Sequence, residues 1–415
     1  MAINLMLSRL VINTLRQLIN VSVRIDGAMK NLAKLWIGLI LSVVVCFPAS
    51  ANEILRVGDA TITYQSGYID PENMNGNARD VIITSDEGVV ISFDHYRFKT
   101  KSENGFTRIK NFDVKGVVMT ESDEVLTIQR LKWKDLVLPV SDFNINALIF
   151  DDNFLNQIED FGRFSVTNVD FFEAGQQNLH IDLIDFDSEM VNVPSLPDIP
   201  VQNVEITLQN MAIAVDASQD QYFRDMMRNL NLDQFVINLN SSSIVDVQSD
   251  RVNNNVSTAV EFEGMGQIEF DIDIGMLNSS LQILNAAVSQ SNTEISDELV
   301  GLMFSGGMFN AMSLMIEDQG LLDLFMVEYA NELGISRAET VDMLMDQLAI
   351  TMGSYAPLTF AAIAPEVRGF LENGGNLTVA LNPPSPTVFS SFLGFAAVPD
   401  TAAEALGLTV DHQVP

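Results

Sequence analysis

Residues 267–275 read Gln267-Ile268-Glu269-Phe270-Asp271-Ile272-Asp273-Ile274-Gly275, and the fold class follows from this run. In an extended chain successive side chains point to opposite faces, so Ile268, Phe270, Ile272 and Ile274 form an apolar row and Glu269, Asp271 and Asp273 a charged one. A strand with one buried and one wet face belongs to an antiparallel sheet, since parallel sheets are covered on both sides.

The same period of two extends back to Leu55. It is interrupted at Asn75-Gly76, Asp86-Glu87-Gly88, Asn104-Gly105 and Glu121-Ser122-Asp123-Glu124, which are turn signals for strands joined as hairpins. Strict alternation places Ile91, Phe93 and His95 on one face and Asp94, Tyr96 and Phe98 on the other. An Asn recurs between two alternating pieces, in Ile109-Lys110-Asn111-Phe112, Val166-Thr167-Asn168-Val169 and Leu208-Gln209-Asn210-Met211. The unequal spacing of these units describes a meander with insertions, not a solenoid. Gln219–Leu232 has the spacing of a short amphipathic helix, and Pro194, Pro197 and Pro200 mark an extended linker or edge.

Beyond Leu277 the spacing becomes three and four. It predicts helices over Leu281–Ser289, Asp297–Met303, Met308–Ile316, Leu321–Leu333 and Arg337–Met352. Gly334 is placed to close one helix, and Ser336 with Glu339 forms a capping box that opens the next. The many methionines, among them Met303, Met308, Met312, Met326 and Met345, suit either an ordinary bundle core or an adaptable apolar groove. A strand is expected at Asn376–Leu381, a stop at Asn382-Pro383-Pro384-Ser385-Pro386, and a tail at Leu408-Thr409-Val410 that returns to a sheet. The fold class expected is α+β. A long antiparallel β meander, as a curved sheet or a sandwich, fills residues 52–277, a Met-rich α-helical region residues 278–372, and a short terminal strand with small helices residues 373–415.

Residues 1–51 read as a targeting segment. Lys30 and Lys34 precede an apolar stretch from Leu35 to Phe47, and the triplet Ala49-Ser50-Ala51 supplies a cleavage site through Ala49 and Ala51. The stretch is shorter than the roughly 20 residues a membrane-spanning helix needs. Met29 stands just before Lys30 and is a candidate start. The single cysteine, Cys46, lies inside this segment, so the exported chain has no thiol chemistry, thiolate metal site or disulfide. The destination expected is the bacterial periplasm, with no transmembrane helix in the mature chain.

The 415 residues carry 22 Lys+Arg against 55 Asp+Glu, a net charge of −33. Such a polyanion gains nothing from displacing counterions on nucleic acid, which is excluded as a partner. Residues 1–51 hold five basic residues and one acidic residue, so their removal leaves 17 basic against 54 acidic and a net −37. The charge is uneven: Arg97–Lys134 contains nine basic and five acidic residues, whereas residues 252–415 contain only Arg337 and Arg368 against 21 acids.

Catalytic signatures are missing. There is no nucleophile elbow, phosphate loop, His-Glu-x-x-His or dinucleotide fingerprint, and His95, His180 and His412 are far apart in the chain. No cofactor is expected. Asp182, Asp185 and Asp187 form a candidate weak cation site, although carboxylates two residues apart on a strand are about 7 Å from one another, too far for one ion without a neighbouring strand. The basic band is the stronger candidate. Arg97, Lys99 and Lys101 line one face of a strand and Arg130, Lys132 and Lys134 one face of another, and adjacent rows would make a positive surface for lipid headgroups. The competing reading pairs this band internally with the acidic helical half.

The secretory start, the cysteine-free mature chain and the recurring apolar-x-Asn-apolar units resemble bacterial envelope proteins of the AsmA and TamB type, or related periplasmic repeat families of unknown function. The resemblance covers at most residues 55–275 and carries over no site residues. It implies a curved sheet with an apolar trough that serves lipid handling or envelope homeostasis. The function expected is therefore a non-enzymatic scaffold or groove protein with lipid or other envelope proteins as partners. The alternative is a carboxylate- or metal-dependent hydrolase, which would gather several of Asp182, Asp185, Glu269, Asp271, His95 and His180 in one pocket.

Overall fold

A computed structural model describes residues 55–57, 60–69, 75–85, 88–103, 106–139, 161–194, 196, 201–217, 221–229, 232–283, 305–395 and 398–414. The targeting segment, with Ala49 and Ala51, lies outside the described residues. The fold is α+β, an antiparallel meander with helices concentrated towards the C-terminus. No helix of the described residues is long and apolar enough to cross a membrane. The chain divides into two units, one formed by residues up to Glu189 with Val204–Asn238, the other by Met190–Asn203 with Leu239–Pro415.

In the first unit the strands are β1 (Leu55–Val57), β2 (Ala60–Ile69), β3 (Gly76–Ser85), β4 (Val90–Glu103), β5 (Phe106–Glu121), β6 (Glu124–Lys134), β7 (Leu136–Pro139), β8 (Arg163–Glu173) and β9 (Gln176–Val191), with most of β10 (Val201–Ala214). Each of β1 to β5 pairs antiparallel with the next, β5 also pairs with β7, β6 with β8, and β8 with β9. The predicted helix after β10 is present as α1 (Gln221–Asn229). The core face is aromatic at β4 and β5, where Tyr96 packs against Phe93, Phe98 and Phe112. Tyr96 is completely buried, and desolvation pushes its hydroxyl above the ordinary tyrosine range.

The second unit contains β12 (Arg251–Phe262), β13 (Gly266–Leu277), β14 (Gly307–Asp318), α2 (Leu321–Leu333), α3 (Arg337–Met352), α4 (Pro357–Asn373), β15 (Gly375–Leu381), β16 (Thr387–Val388), α5 (Ser391–Phe395), α6 (Pro399–Ala405) and β17 (Leu408–Gln413). The remaining strand, β11 (Gln234–Val247), begins in the first unit and ends in the second. The alternating run Gln267–Gly275 lies in β13, paired along its length with β12 on one side and β14 on the other. The tail does return to the sheet, with β17 running antiparallel along β15 from Leu381↔Leu408 to Asn376↔Gln413.

One helix expected from spacing is a strand. Met308–Ile316 lies in β14, held between β13 and β15. Its apolar residues fall on both faces, so no period of two is visible, and pairing on both edges outweighs the local spacing. Of the other helices expected before it, residues 281–283 are helical, and residues 284–289 and 297–303 lie outside the described residues.

The capping box is present. The Glu339 amide donates to Ser336 Oγ, and the Ser336 amide donates to Glu339 Oε2 at 2.7 Å. Gly334, at φ 67°, closes α2. Met326 and Met345 are buried with Val341 in a cluster to which Leu322, Leu348, Val367 and Leu371 add cover, which is the bundle-core role of those methionines.

Candidate functional site

The site begins with a backbone feature that crosses the strands of the first unit. Asp80, Asn168 and Asn210 adopt φ near +50° and Gly116 φ 62°, the left-handed region, inside strands β3, β8, β10 and β5. In the first-unit ladders through Asp80, Gly116 and Asn168 the pairing skips one position on both strands, and two between β4 and β5. Asp80 stands against Asp94, Gly116 against Gln129, and Asn168 against Gln129 on one side and Asp182 on the other. A left-handed residue costs little for Gly and least among the rest for Asn and Asp, which explains the recurring Asn of the sequence. Asn111 is not one of the row. It sits in ordinary register with Lys99 beside a bulge. Gly116 takes the place in β5, where a Cβ would run into the Asp94 carboxylate.

This crease shifts the inward phase by one residue. Buried residues on either side of it are three apart, not two: Ala78 and Val81, Phe93 and Tyr96, Val114 and Val117, Ile128 and Leu131, Val166 and Val169, Leu208 and Met211. The expected division of Ile91, Phe93 and His95 from Tyr96 and Phe98 is therefore corrected. Ile91, Phe93, Tyr96 and Phe98 are all core, and Asp94 and His95 together turn away from it. Side-chain amides reinforce the row. Asn168 Nδ2 donates to Gln129 Oε1, Asn210 Nδ2 donates to Asp182 Oδ2 at 2.9 Å, and the Asn210 amide donates to Asn238 Oδ1 at 2.6 Å.

The basic band lies beyond the crease on the wet face. Arg97, Lys99 and Lys101 are exposed on β4, and Arg130, Lys132 and Lys134 lie on β6 opposite the buried Leu131 and the half-buried Trp133. Strand β5 runs between them and adds the exposed Lys115. Its Asp113 stands between Arg97 and Lys132 in register, but both its oxygens are taken by Arg130, through Nε at 2.8 Å and a terminal nitrogen at 2.9 Å. Burial acts to raise the Asp113 carboxyl, and the hydrogen bonds and charge of Arg130, helped by Lys115, outweigh it and hold the group below the usual carboxylate range. Lys132 is held below the usual lysine range by partial burial and then by the charges of Lys134 and Arg130. Among the described residues Arg97, Lys99, Lys115, Lys132 and Lys134 form no ion pair with any carboxylate.

The acidic candidates are engaged one by one. Asp185 and Asp187 both face Arg163, at 3.0 and 3.6 Å. Asp182 accepts from His180 Nε2 at 2.8 Å and from Asn210, while His180 Nδ1 meets Asp170 at 2.6 Å. With a carboxylate at each ring nitrogen both nitrogens must donate, which is the imidazolium form. The hydrogen bond to Asp170 is the largest of the influences that raise the His180 pKa above its ordinary value. Asp182, Asp185 and Asp187 are not gathered around one point, and no group of three or more His, Asp or Glu among the described residues is arranged to hold a metal ion. His95 bonds instead to Asn77, at 2.9 Å, and in the second unit Glu269 accepts from Gln267 and Asp271 from Ser313. Asp170, Lys115 and Asp113 are the members of these clusters that sequence spacing missed. Their signal is cross-strand register, which a single strand's pattern does not contain.

A protein-family model described as "Uncharacterized protein" matches residues 259–413, which fall in the second unit and exclude the basic face. No curated protein matches the chain.

Proposed function

We propose that this protein is an exported, non-enzymatic component of the bacterial cell envelope, a sheet scaffold whose basic face holds anionic lipid headgroups. The observation that carries the reading is the set of five cations on β4–β6 without a carboxylate partner among the described residues, in a chain with 55 acids to 22 bases. Like charges this close repel one another, and a bound anion relieves that repulsion, so the face is better suited to a ligand than to bare solvent. The secretory pattern of residues 1–51 and the resemblance to AsmA- and TamB-type envelope proteins point to the same compartment and to lipid as the ligand. His180, held at both ring nitrogens, has none free to act as a general base.

The test is mass spectrometry of small molecules extracted from the protein purified out of the periplasmic fraction, together with flotation on phosphatidylglycerol vesicles. Reproducible acidic phospholipid and salt-sensitive flotation are the results expected. Protein recovered free of lipid and indifferent to the vesicles would end the proposal.

A further inference from the structure

We infer that the basic face is a site for a doubly phosphorylated group, seated across β4, β5 and β6 over Asn111 and Asp113. The inference rests on the anionic-headgroup reading above and names the ligand chemistry at that face. The register Arg97↔Asp113↔Lys132 and Lys99↔Asn111, with Phe112↔Trp133 placing Lys134 beside Asn111, puts four cations at the corners of a rectangle. Two strand steps make it about 10 Å wide, and one two-residue repeat makes it about 7 Å long. Lys115 stands two residues further along β5, beside Arg130. The middle of the rectangle offers Asn111, a neutral amide, and Asp113, whose oxygens are occupied by Arg130 and do not compete for the cations around it.

Charge and spacing both select two phosphates over one. A phosphate carries about −1 as a diester and about −1.5 to −2 as a monoester, which leaves roughly three or four of the five unpaired cations unanswered, whereas two phosphates double that charge, to about −2 as diesters and about −3 to −4 as monoesters. Gathering every corner on one phosphate would also crowd the ammonium groups of Lys99, Lys132 and Lys134. Two phosphates let Arg97 grip one of them in its planar fork while the lysines act as point charges on the other. Lys132, held below the usual lysine range by partial burial and by the Lys134 and Arg130 charges, gains from an added anion.

The purified protein is titrated with inorganic phosphate and with pyrophosphate by calorimetry, and floated on phosphatidylcholine vesicles doped with cardiolipin, which carries two phosphates, or with phosphatidylglycerol at matched charge. Pyrophosphate is expected to bind about tenfold or more tightly than phosphate, and the Lys132→Gln/Lys134→Gln double variant to lose about tenfold. Its unfolding midpoint stays equal or rises, because like charges have been removed, so lost binding is not lost folding. Arg163→Gln, whose guanidinium is already held by Asp185 and Asp187, binds within about twofold of the parent. Preference for cardiolipin vesicles, with or without free pyrophosphate binding, supports the site on a lipid. Pyrophosphate binding without flotation supports the site and overturns the lipid reading. Equal flotation on both vesicles with no pyrophosphate preference overturns the doubly phosphorylated ligand and leaves the headgroup reading standing, and binding of none of these probes overturns both.

Discussion

The crease makes an unusual demand on residue 210, and the demand has a sign that mutation can read. Asn210 sits in β10 at φ 50° with its amide bonded to Asn238. Asn210→Gly and Asn210→Ala both lose the side-chain bond to Asp182, so that loss cancels between them and only the Cβ differs. A Cβ in the left-handed region costs roughly 1–2 kcal/mol. Against this, glycine loses roughly 0.5–1 kcal/mol more chain entropy than alanine on folding. The glycine variant should therefore be the more stable by about 0.5–1 kcal/mol. At Glu205, an exposed position in the same strand with ordinary backbone, the order should invert, and Glu205→Ala should exceed Glu205→Gly by a similar amount. The swing between the two sites is about 1–2 kcal/mol, read from urea midpoints. Trp133 fluorescence is a suitable probe, because its indole donates to the Phe161 carbonyl within the same unit. The same order at both sites would refute the crease and the explanation of the recurring Asn.

Three further outcomes follow from the polar contacts. His180→Gln should cost of order 1 kcal/mol at about pH 5.5, and this cost should shrink as pH rises past about 6.5. The folded pKa is raised, so the stabilisation is complete below the unfolded value and lost above the folded one; a gap between parent and variant midpoints that grows with pH would contradict the imidazolium assignment. Asp113→Asn should destabilise by about 1–2 kcal/mol, a figure reduced because Arg130 is 40% exposed, and should tighten pyrophosphate binding by freeing the guanidinium. The Asp113 carboxyl is depressed, so its contribution is complete above about pH 4 and fades as pH falls towards the folded value; a binding loss in calorimetry would place Asp113 in the wrong role. Ser336→Ala should weaken the start of α3 by about 1 kcal/mol, seen as faster amide exchange over residues 337–341, and unchanged exchange would deny the capping box its weight.

Much of this fold was legible because its local rules agree with its pairing. The alternation of Gln267–Gly275, the Ser336 cap and the Gly334 stop each need only a few neighbouring residues to be read. Met308–Ile316 was not legible, because methionine on both faces of a strand paired at both edges leaves no period to detect. The Asn signature was visible at Asn168 and Asn210, but its meaning was hidden, since a left-handed residue is recognised by φ and not by composition. Asn111 carried the same pattern without the conformation, and Gly116 had the conformation without the pattern. The two cation rows were legible as rows. That Arg97, Lys99, Lys132 and Lys134 have no carboxylate partner among the described residues was not, because it depends on Arg130 turning to Asp113 on the next strand.

The crease and the basic face are one device. If the alternation of β4 had continued from the buried Ile91 and Phe93, residues 95, 97, 99 and 101 would have pointed into the core, carrying one histidine and three cations with them. Strand β6 poses the same problem, since continuation from Leu126 and Ile128 leads inward to Arg130, Lys132 and Lys134. Burial of several unpaired cations is far costlier than any gain the strands could return. The one-residue phase shift at Asp94 and Gln129 turns both rows outward together and brings Tyr96, Phe98, Leu131 and Trp133 inward in their place. The left-handed residue between them, Gly116, lies on the intervening strand and serves both neighbours at once. The backbone strain carried by this row thus sets the register in which an acidic protein presents a positive surface on part of its sheet.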